Sequence, residues 1–468
     1  MNTEHKRNES SPALDGRLSD PGDRQYNAPW EHAFERVLGP FEEFIHNQTT
    51  AGMLLMVCAL IALVLANSPL AGPYLHVLHT PLGVRVGDWG LELSLHHWIN
   101  DGLMALFFFV MGLEIKREIL VGELATPRQA ALPIIAAIGG MLVPALLYMA
   151  VNPSGPAAQG WGVPMATDIA FAVGALVLLG SRIPQALIVF LVALAIVDDL
   201  GAVVVIALFY TDTIALPALA AAGVLLAALI VMNMGGVRRP LPYFVLGLLL
   251  WLAMLKSGVH ATIAGVLLAF TIPARPRYDP LRFHAHVMGL MQRFALAVQR
   301  DANILVNDKL HAIVQSLERG AEGVETPMQR LQHLLHQPVA LLVIPIFALA
   351  NAGVRIPFES LGDALQQPVT LGITLGLVLG KFIGIAGSAW LALRLGLGQL
   401  PAGTRFVQVA GVALLGGIGF TMSIFIAELG FAAHPEMLVQ AKIGILCASL
   451  CAGVLGYVWL LMASRTTK

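Results

Sequence analysis

The sequence predicts an all-α polytopic membrane protein with about twelve transmembrane helices. Hydrophobic residues make up 57% of the chain and charged residues only 12%, whereas soluble domains carry about 25% charged residues. The mean hydropathy of +0.75 agrees with this composition. The apolar residues form runs long enough to cross a bilayer as helices, not the short alternating segments of a membrane β-barrel.

The apolar runs occupy residues 48–464, which we predict to be one transmembrane domain. Residues 1–47 are polar and predict a largely disordered tail, and residues 465–468 form a short polar C-terminus. Within the domain, alternating apolar residues around a Gly-Asp-Trp-Gly turn predict an external β-hairpin over residues 80–95, with an irregular loop as the alternative. Residues 273–337 form a polar insertion. The expected spans are 51–66, 98–114, 130–151, 161–180, 186–210, 214–233, 241–255, 258–272, 338–352, 369–393, 405–428 and 437–462.

Most Lys and Arg residues fall in the connections on one side of these spans, the side that also holds both termini. The positive-inside rule therefore places both termini and the 273–337 insertion in the cytoplasm, and the 80–95 hairpin outside. The net charge of −1 gives no basic character that would indicate a nucleic-acid partner, so the lipid bilayer is the expected environment. The three cysteines lie in apolar spans, where we expect them to pack in the core: Cys58, Cys447 and Cys451.

Two spans are interrupted by helix-breaking sequences. The fourth contains Pro164-Met165-Ala166-Thr167-Asp168, and the eleventh contains Gly416-Gly417-Ile418-Gly419-Phe420-Thr421. Each is the middle member of a triplet, helices 3–5 and helices 10–12, and the two triplets run in opposite directions. This arrangement predicts an inverted repeat with two broken, crossing helices. Matching broken spans in inverted halves indicate the binding site of a secondary transporter.

Two adjacent carboxylates, Asp198 and Asp199, lie in the apolar run from Ala186 to Tyr210. A charged side chain at that depth costs at least about 2.5–3.5 kcal/mol, so two in a row indicate a cation or proton site. The alternative is a buried ion pair that only holds helices together. Lys381, midway along span ten, is a possible partner, and Asp168 at the predicted break can neutralise helix dipoles. For these last two, a purely structural role is an equal alternative.

Consecutive helical residues point about 100° apart, so one aspartate can face a cation while its neighbour meets Lys381. Burial disfavours the charged form of each group, and a proton and a small hard cation then compete for the same carboxylate. That competition is exchange chemistry. His260 can titrate near neutral pH, with a packing role as the alternative, and His333 and His336 lie three residues apart at the mouth of span nine. A metal site there is a weaker alternative, because no carboxylate or cysteine completes a ligand set.

Seven stretches resemble the NhaA family of sodium/proton antiporters, and they are spread over most of the apolar region. They are WINDGLMALFFFVMGLEIKRE from Trp98, ALPIIAAIGGMLVPALLY from Ala131, PMATDIAFAVGALVLLGSR from Pro164, ALAIVDDLGAVVVIALFY from Ala193, LKSGVHATIAGV from Leu255, FALANAGV from Phe347 and GIGFTMSIFIA from Gly417. The rule that broken spans mark a transporter's binding site was drawn partly from this family, so it is not independent support.

The resemblance implies electrogenic exchange of protons for sodium or lithium in a bacterial inner membrane, without a cofactor. It implies a homodimer formed through the external hairpin, residues 80–95. The family's site roles fall on these residues: Asp198 and Asp199 as the ion and proton site, where Na⁺ or Li⁺ binds, Thr167 and Asp168 at the helix crossing, and Lys381 as the charge partner. Asp101 and Glu114 would line the external and cytoplasmic approaches, and His260, His333 and His336 are candidates for the pH response.

The chain departs from the family pattern in two places. Gln332 replaces an acidic residue at the mouth of span nine, and the segment 274–326 is longer than in compact members. We therefore expect the pH response to differ while the exchange is retained.

Two other function classes are alternatives. An ion-coupled carrier for an organic anion would want a roomier, basic cavity, and Lys381 is the only basic residue midway along a predicted span. An intramembrane aspartyl protease needs aspartates on two facing helices, a role that Asp168 and Asp199 can mimic. No Tyr-Asp or Gly-x-Gly-Asp motif appears within a predicted span, however.

Overall fold

The computed structural model describes residues 48–86, 89–211, 214–276, 280–298, 307–356 and 361–465. The predicted tail, residues 1–47, and the last three residues lie outside this part of the chain. Within the described residues the chain is almost entirely helical, with one two-stranded antiparallel sheet.

The helices up to the polar insertion are α1 (Gln48–Ala66), α2 (Ala71–His79), α3 (Met104–Val121), α4 (Pro127–Val151), α5 (Ile169–Val177), α6 (Gln185–Phe209), α7 (Leu216–Met234), α8 (Pro240–Ser257) and α9 (Ile263–Thr271). Those that follow are α10 (Pro280–Val298), α11 (Asp308–Val324), α12 (Pro327–Pro338), α13 (Ile344–Asn351), α14 (Leu361–Gln366), α15 (Pro368–Leu375), α16 (Lys381–Arg394), α17 (Phe406–Leu415), α18 (Phe420–Gly430) and α19 (Pro435–Arg465). Helix α2 lies in what the sequence predicted to be a polar connection.

Three wider, π-helical turns join helices end to end. Trp98–Leu103 connects the short helix Leu95–His97 to α3, Val339–Val343 connects α12 to α13, and Gly376–Gly380 connects α15 to α16. Each joined pair is therefore one longer helical rod.

Within the described residues, eight helical segments are long and apolar enough to cross a membrane. They are Pro127–Val151, Pro156–Val177, Gln185–Phe209, Leu216–Met234, Pro240–Ser257, Pro327–Asn351, Pro368–Arg394 and Pro435–Ser464. Two bent pairs, α1 with α2 at 112° and α17 with α18 at 47°, raise the number to ten. The other two predicted spans correspond to α3, which carries charges near its end, and α9, whose nine residues extend only about 14 Å. The polytopic α-helical class is confirmed.

The cysteines are only partly where the sequence placed them. Cys58 and Cys447 are partly buried, but Cys451 is exposed on α19. The prediction of core packing was wrong for Cys451, because an apolar residue of a membrane helix can face lipid as well as the core.

The two broken spans cross at their breaks. In the fourth, a 3₁₀-helical segment, Pro156–Met165, gives way to extended backbone before α5 begins at Ile169. In the eleventh, α17 ends at Leu415 and α18 begins at Phe420. A Cβ at Gly419 would lie 3.0 Å from the carbonyl oxygen of Ala166, so glycine at this position allows the backbones of the two broken spans to approach each other.

The external hairpin predicted over residues 80–95 corresponds to strands β1 (Pro81–Val86) and β2 (Trp89–Ser94). They pair antiparallel, with Pro81 opposite Ser94 and Val86 opposite Trp89. The indole Nε1 of Trp98 donates to the carbonyl oxygen of Leu82 (2.9 Å) and ties the hairpin to the helix that follows.

The helices pack as two groups. The repeat group consists of α4, α5, α6 and α15 to α19, and one of its apolar clusters joins Leu132, Leu176, Leu187, Ile385 and Val409. The flanking group consists of α1, α3, α7, α8, α9 and α13, in which α3 packs on α9, α7 on α8, and α1 on α13. The first group contains both broken spans.

A tight helix crossing in the repeat group joins α4 to α16. A Cβ at Gly384 would lie 2.8 Å from the carbonyl carbon of Gly139 and 3.1 Å from the nitrogen of Gly140. Neither backbone can retreat without moving its helix, so this crossing fixes the position of Lys381 at the start of α16.

We expect Gly384→Ala to lower the apparent melting temperature of the detergent-solubilised protein by several degrees. The reason is that overpacking a tight interior contact costs about 1–3 kcal/mol. Gly387→Ala is the matched control on the same helix, because a Cβ there would meet nothing within 4 Å. Equal melting temperatures for the two variants would contradict the tight crossing.

Candidate ion site

A buried ion pair lies between the two halves of the repeat group. Lys381 Nζ on α16 donates to Asp198 Oδ2 on α6, and both side chains are completely buried. The hydroxyl of Thr167 lies 2.7 Å from the same carboxylate oxygen. The other oxygen, Asp198 Oδ1, is buried and accepts no hydrogen bond from the described residues.

Asp199 lies beside the pair, and it has no ion-pair partner of its own among the described residues. Its residue is 2% exposed, and its Oδ1 is likewise buried without a hydrogen-bond donor among the described residues. A buried acceptor without a partner costs about 1–3 kcal/mol, and more when it is charged. Two such oxygens on consecutive aspartates favour a site that is completed by a proton or a small cation.

Asp168 is shared by the N-termini of two half-helices. Its Oδ1 accepts from the backbone nitrogen of Phe171 (3.1 Å) and so caps α5. Its Oδ2 accepts from the backbone nitrogen of Thr421 (3.0 Å) and from that residue's hydroxyl (2.5 Å), in the first turn of α18. One negative charge thereby faces the positive ends of two helix dipoles.

The crossing connects the ion pair to the eleventh span. Thr167 Oγ1 lies 2.9 Å from the carbonyl oxygen of Gly416 as well as next to Asp198, and the backbone nitrogen of Asp168 donates to the carbonyl oxygen of Ile418 (2.6 Å). A displacement of either broken span would therefore move the groups that contact Asp198.

The other predicted residues have neighbours of their own. Asp101 lies in the first π-helical turn, close enough to His97 and His260 for their charges to interact. The Nε2 of His260 lies 2.5 Å from the carbonyl oxygen of Tyr210, at the end of α6. The hydrogen bonds described for these residues do not reach Asp198 or Asp199.

Glu114 lies within electrostatic range of His336 and of Asp199. His333 lies on α12 with His336. In the described part of the chain, no three His, Cys, Asp or Glu side chains converge to hold a metal ion, so this histidine pair has no third ligand there.

Comparison with known proteins identifies the family. A family model described as Na+/H+ antiporter 1 matches residues 42–460. An antiporter named Na(+)/H(+) antiporter NhaA 1, from Saccharophagus degradans, is 57% identical over 440 residues, which is 94% of this chain and 95% of that protein. The Na(+)/H(+) antiporter NhaA of Sulfurimonas denitrificans is 54% identical over 441 residues, 94% of this chain and 99% of its own. The chain belongs to the Na+/H+ antiporter 1 family.

Membership of the Na+/H+ antiporter 1 family confirms the resemblance that the motifs indicated. The protein is a multi-pass membrane protein of a transporter family, and the comparisons do not favour the organic-anion carrier or the protease.

Sequence reasoning did not single out two side chains that hold this family member's crossing together. One is Thr421, which bonds Asp168, and the other is Ser423, whose hydroxyl donates to the carbonyl oxygen of Val163 (2.8 Å). Both are hydroxyl residues in the first turn of a helix that follows a glycine break. Their side chains can bond polar groups of the other broken span, and that position is the feature of the sequence that could have indicated them.

We expect Thr421→Val to lower thermal stability, because it removes a hydrogen bond to a buried carboxylate that is worth about 1.5–3 kcal/mol. Thr421→Ser, which keeps the hydroxyl, is the matched control and should stay close to the parent. Apparent melting temperatures in detergent measure both. If the valine variant melted with the serine variant, the hydroxyl would not stabilise the crossing.

Proposed function

We propose that the protein extrudes Na⁺ or Li⁺ in electrogenic exchange for protons, and so serves pH and sodium homeostasis. In this proposal it lies in a bacterial inner membrane with both termini and the 273–337 insertion cytoplasmic and the hairpin outside. The proposal rests on two buried oxygens, one on Asp198 and one on Asp199, that accept no hydrogen bond from the described part of the chain and lie beside the crossing of the two broken spans.

Exchange follows from competition at Asp199. Oxygen ligands suit hard cations, and a buried carboxylate is satisfied either by such a cation or by a proton, but not by both. Sodium binding releases the proton, and protonation releases the sodium. Thr167 contacts Asp198, and Asp168 contacts the N-terminus of α18, so a change of ligand at the aspartates can be transmitted to the two half-helices at the crossing.

A second proton comes from the ion pair. If sodium draws Asp198 away from Lys381, the lysine ammonium loses its counter-ion in a buried position and can release its proton. Two protons exchanged for one monovalent cation move one net charge per cycle. A membrane potential of 100 mV then contributes about 2.3 kcal/mol to sodium extrusion. No cofactor enters this cycle.

The alternatives fit the site less well. A carrier for an organic anion needs a free cation, but Lys381 already pairs with Asp198. A protease needs two aspartates that share a water, but both oxygens of Asp168 are occupied by donors from α5 and α18.

We assign the access paths and the pH response to the remaining predicted residues. Asp101 and His260 line the outer approach, and Glu114, His333 and His336 line the cytoplasmic one. The family's acidic position is Gln332 here, buried on α12, and we expect the pH profile to differ for that reason.

In proteoliposomes, the parent should show Na⁺-driven proton flux, and a Na⁺ jump on a solid-supported membrane should give a current. Asp199→Asn should abolish both, because the neutral amide can neither release a proton nor balance a cation. Asp363→Asn, which removes an exposed carboxylate on α14, is the control and should keep both signals.

The outcomes separate the parts of the proposal. Parent flux without a current would refute electrogenic exchange, and normal flux in Asp199→Asn would refute the site. A parent response to neither Na⁺ nor Li⁺ would refute the function.

We also propose that the hairpin joins two copies of the chain. In the described residues its strands pair only with each other, so each strand keeps a free edge for a strand of a second copy. Replacing residues 80–95 by a short Gly-Ser linker should give monomers in detergent, measured by light scattering, that still exchange ions. A dimer that survives this deletion would place the contact elsewhere.

A further inference from the structure

One helix of the polar insertion, α10, carries two apolar stripes, and one of them packs inside the molecule. This inner stripe consists of residues 283, 287, 290, 294 and 297, and it lies on the side of α10 that packs on α11. Leu290 is only 7% exposed, and a Cβ at Gly320 of α11 would lie 3.0 Å from the ring of Phe283. Asn307 Nδ2 donates to the carbonyl oxygen of Ala297 (3.3 Å) where α11 begins. The two helices therefore form one packed pair.

The second stripe runs along the neighbouring side of α10 and is exposed. We call it the exposed stripe, and its members lie alternately four and three residues apart: His284, Met288, Met291, Ala295 and Val298. Met288 is 52% exposed, and Met291 is 47% exposed. A contiguous apolar surface of this kind is typical of a docking site.

The chain holds the pair of α10 and α11 close to the membrane. The backbone nitrogen of Met328, in the first turn of α12, donates to the carbonyl oxygen of Pro273 (3.2 Å). The two ends of the insertion thus meet where the eighth predicted span ends. Helix α10 begins at Pro280, seven residues beyond Pro273, and α11 ends at Val324, three residues before α12 begins. These connections reach at most about 25 Å and about 10 Å.

The charges of α10 suit an anionic lipid surface. Its sequence contains two arginines and two histidines but no aspartate or glutamate. Arg293 is exposed and lies outside the exposed stripe. Helices that lie in the headgroup region of a bilayer combine an apolar face with basic side chains on the remaining surface. Helix α10 has both features.

We propose that the exposed stripe docks on the bilayer, so that α10 lies along the anionic headgroups of the leaflet nearest the insertion. In the proposed orientation this is the cytoplasmic leaflet. The inference adds a membrane attachment that the proposed exchange does not itself require.

The bilayer is the occupant that the chain itself brings to the stripe. A pair of helices that stood away from the membrane would leave the stripe in water, whereas a pair that lies flat buries it in the interface. A second copy or another protein would have to be recruited, but the short connections keep α10 near lipid at all times.

Docking also restrains the helix that follows. Helix α12 begins three residues after α11 ends, and it carries Gln332, His333 and His336. An α10 held on the leaflet therefore limits the motion of the residues to which we assign the pH response.

The test places a fluorescent probe on the exposed stripe of the full-length protein. In a background with all three cysteines replaced by alanine, Met291→Cys carries the fluorophore NBD. Gln315→Cys is the matched control, because Gln315 is exposed on the side of α11 that faces away from α10. Both proteins are placed in nanodiscs whose lipids carry a nitroxide on the upper acyl chain, with or without about 30% phosphatidylglycerol.

With phosphatidylglycerol present, we expect nitroxide quenching at position 291 to be about threefold stronger than at position 315. It should weaken when the anionic lipid is omitted. Equal quenching at the two positions would overturn the docking. A probe at position 291 that is shielded from water but not quenched would assign the stripe to a protein partner or a second copy, and would overturn the bilayer as its occupant.

Two further outcomes separate the parts of the inference. Quenching that does not depend on phosphatidylglycerol would overturn the role of anionic headgroups. A parent protein without ion exchange would refute the proposed function alone, because none of these signals depends on transport.

Discussion

The buried contact between Lys381 and Asp198 is the interaction on which the rest of the structure depends. It joins α6 of one inverted triplet to α16 of the other, and both partners are shielded from water. Removing one member of such a pair typically costs about 3–5 kcal/mol, because the remaining charge is stranded. The tight glycine crossing of α4 and α16 and the hydroxyl of Thr167 both hold the pair in register. A site that gains or loses charge at this point therefore acts on both halves of the molecule.

The sequence predicted the centre of the molecule better than its ends. Asp198, Asp199 and Lys381 were conspicuous because ionised groups in apolar runs have few structural explanations, and the proline and glycine breaks located the crossing. The structure brings Asp198 and Lys381 into contact and shares Asp168 between two half-helices. Helical spacing fixes the angle between neighbours but not the direction of a partner on another helix, so spacing alone does not show which aspartate meets the lysine.

What the sequence missed was polar chemistry near the ends of spans. His96, Glu428 and Lys442 look like ordinary interfacial residues there, since charges are common where a helix leaves the membrane. Only the three-dimensional packing places them together. Helix α2 was missed for a related reason: nine residues of mixed character between the turn at Pro69 and a strand carry too weak a periodicity to be separated from a loop. The sequence also could not show which residues of α19 are buried, because the lipid and the protein interior both favour apolar residues.

The π-helical turns have a consequence for how this chain can vary in length. Each such turn amounts to one residue added to an α-helix, which rotates everything beyond it by about 100°. The turn Gly376–Gly380 immediately precedes Lys381, and Trp98–Leu103 contains Asp101. Losing one residue from either would point the ionisable group at a different neighbour, although the apolar character of the rod would hardly change. Natural insertions and deletions should therefore avoid these turns and accumulate in the 273–337 segment, where added length costs little.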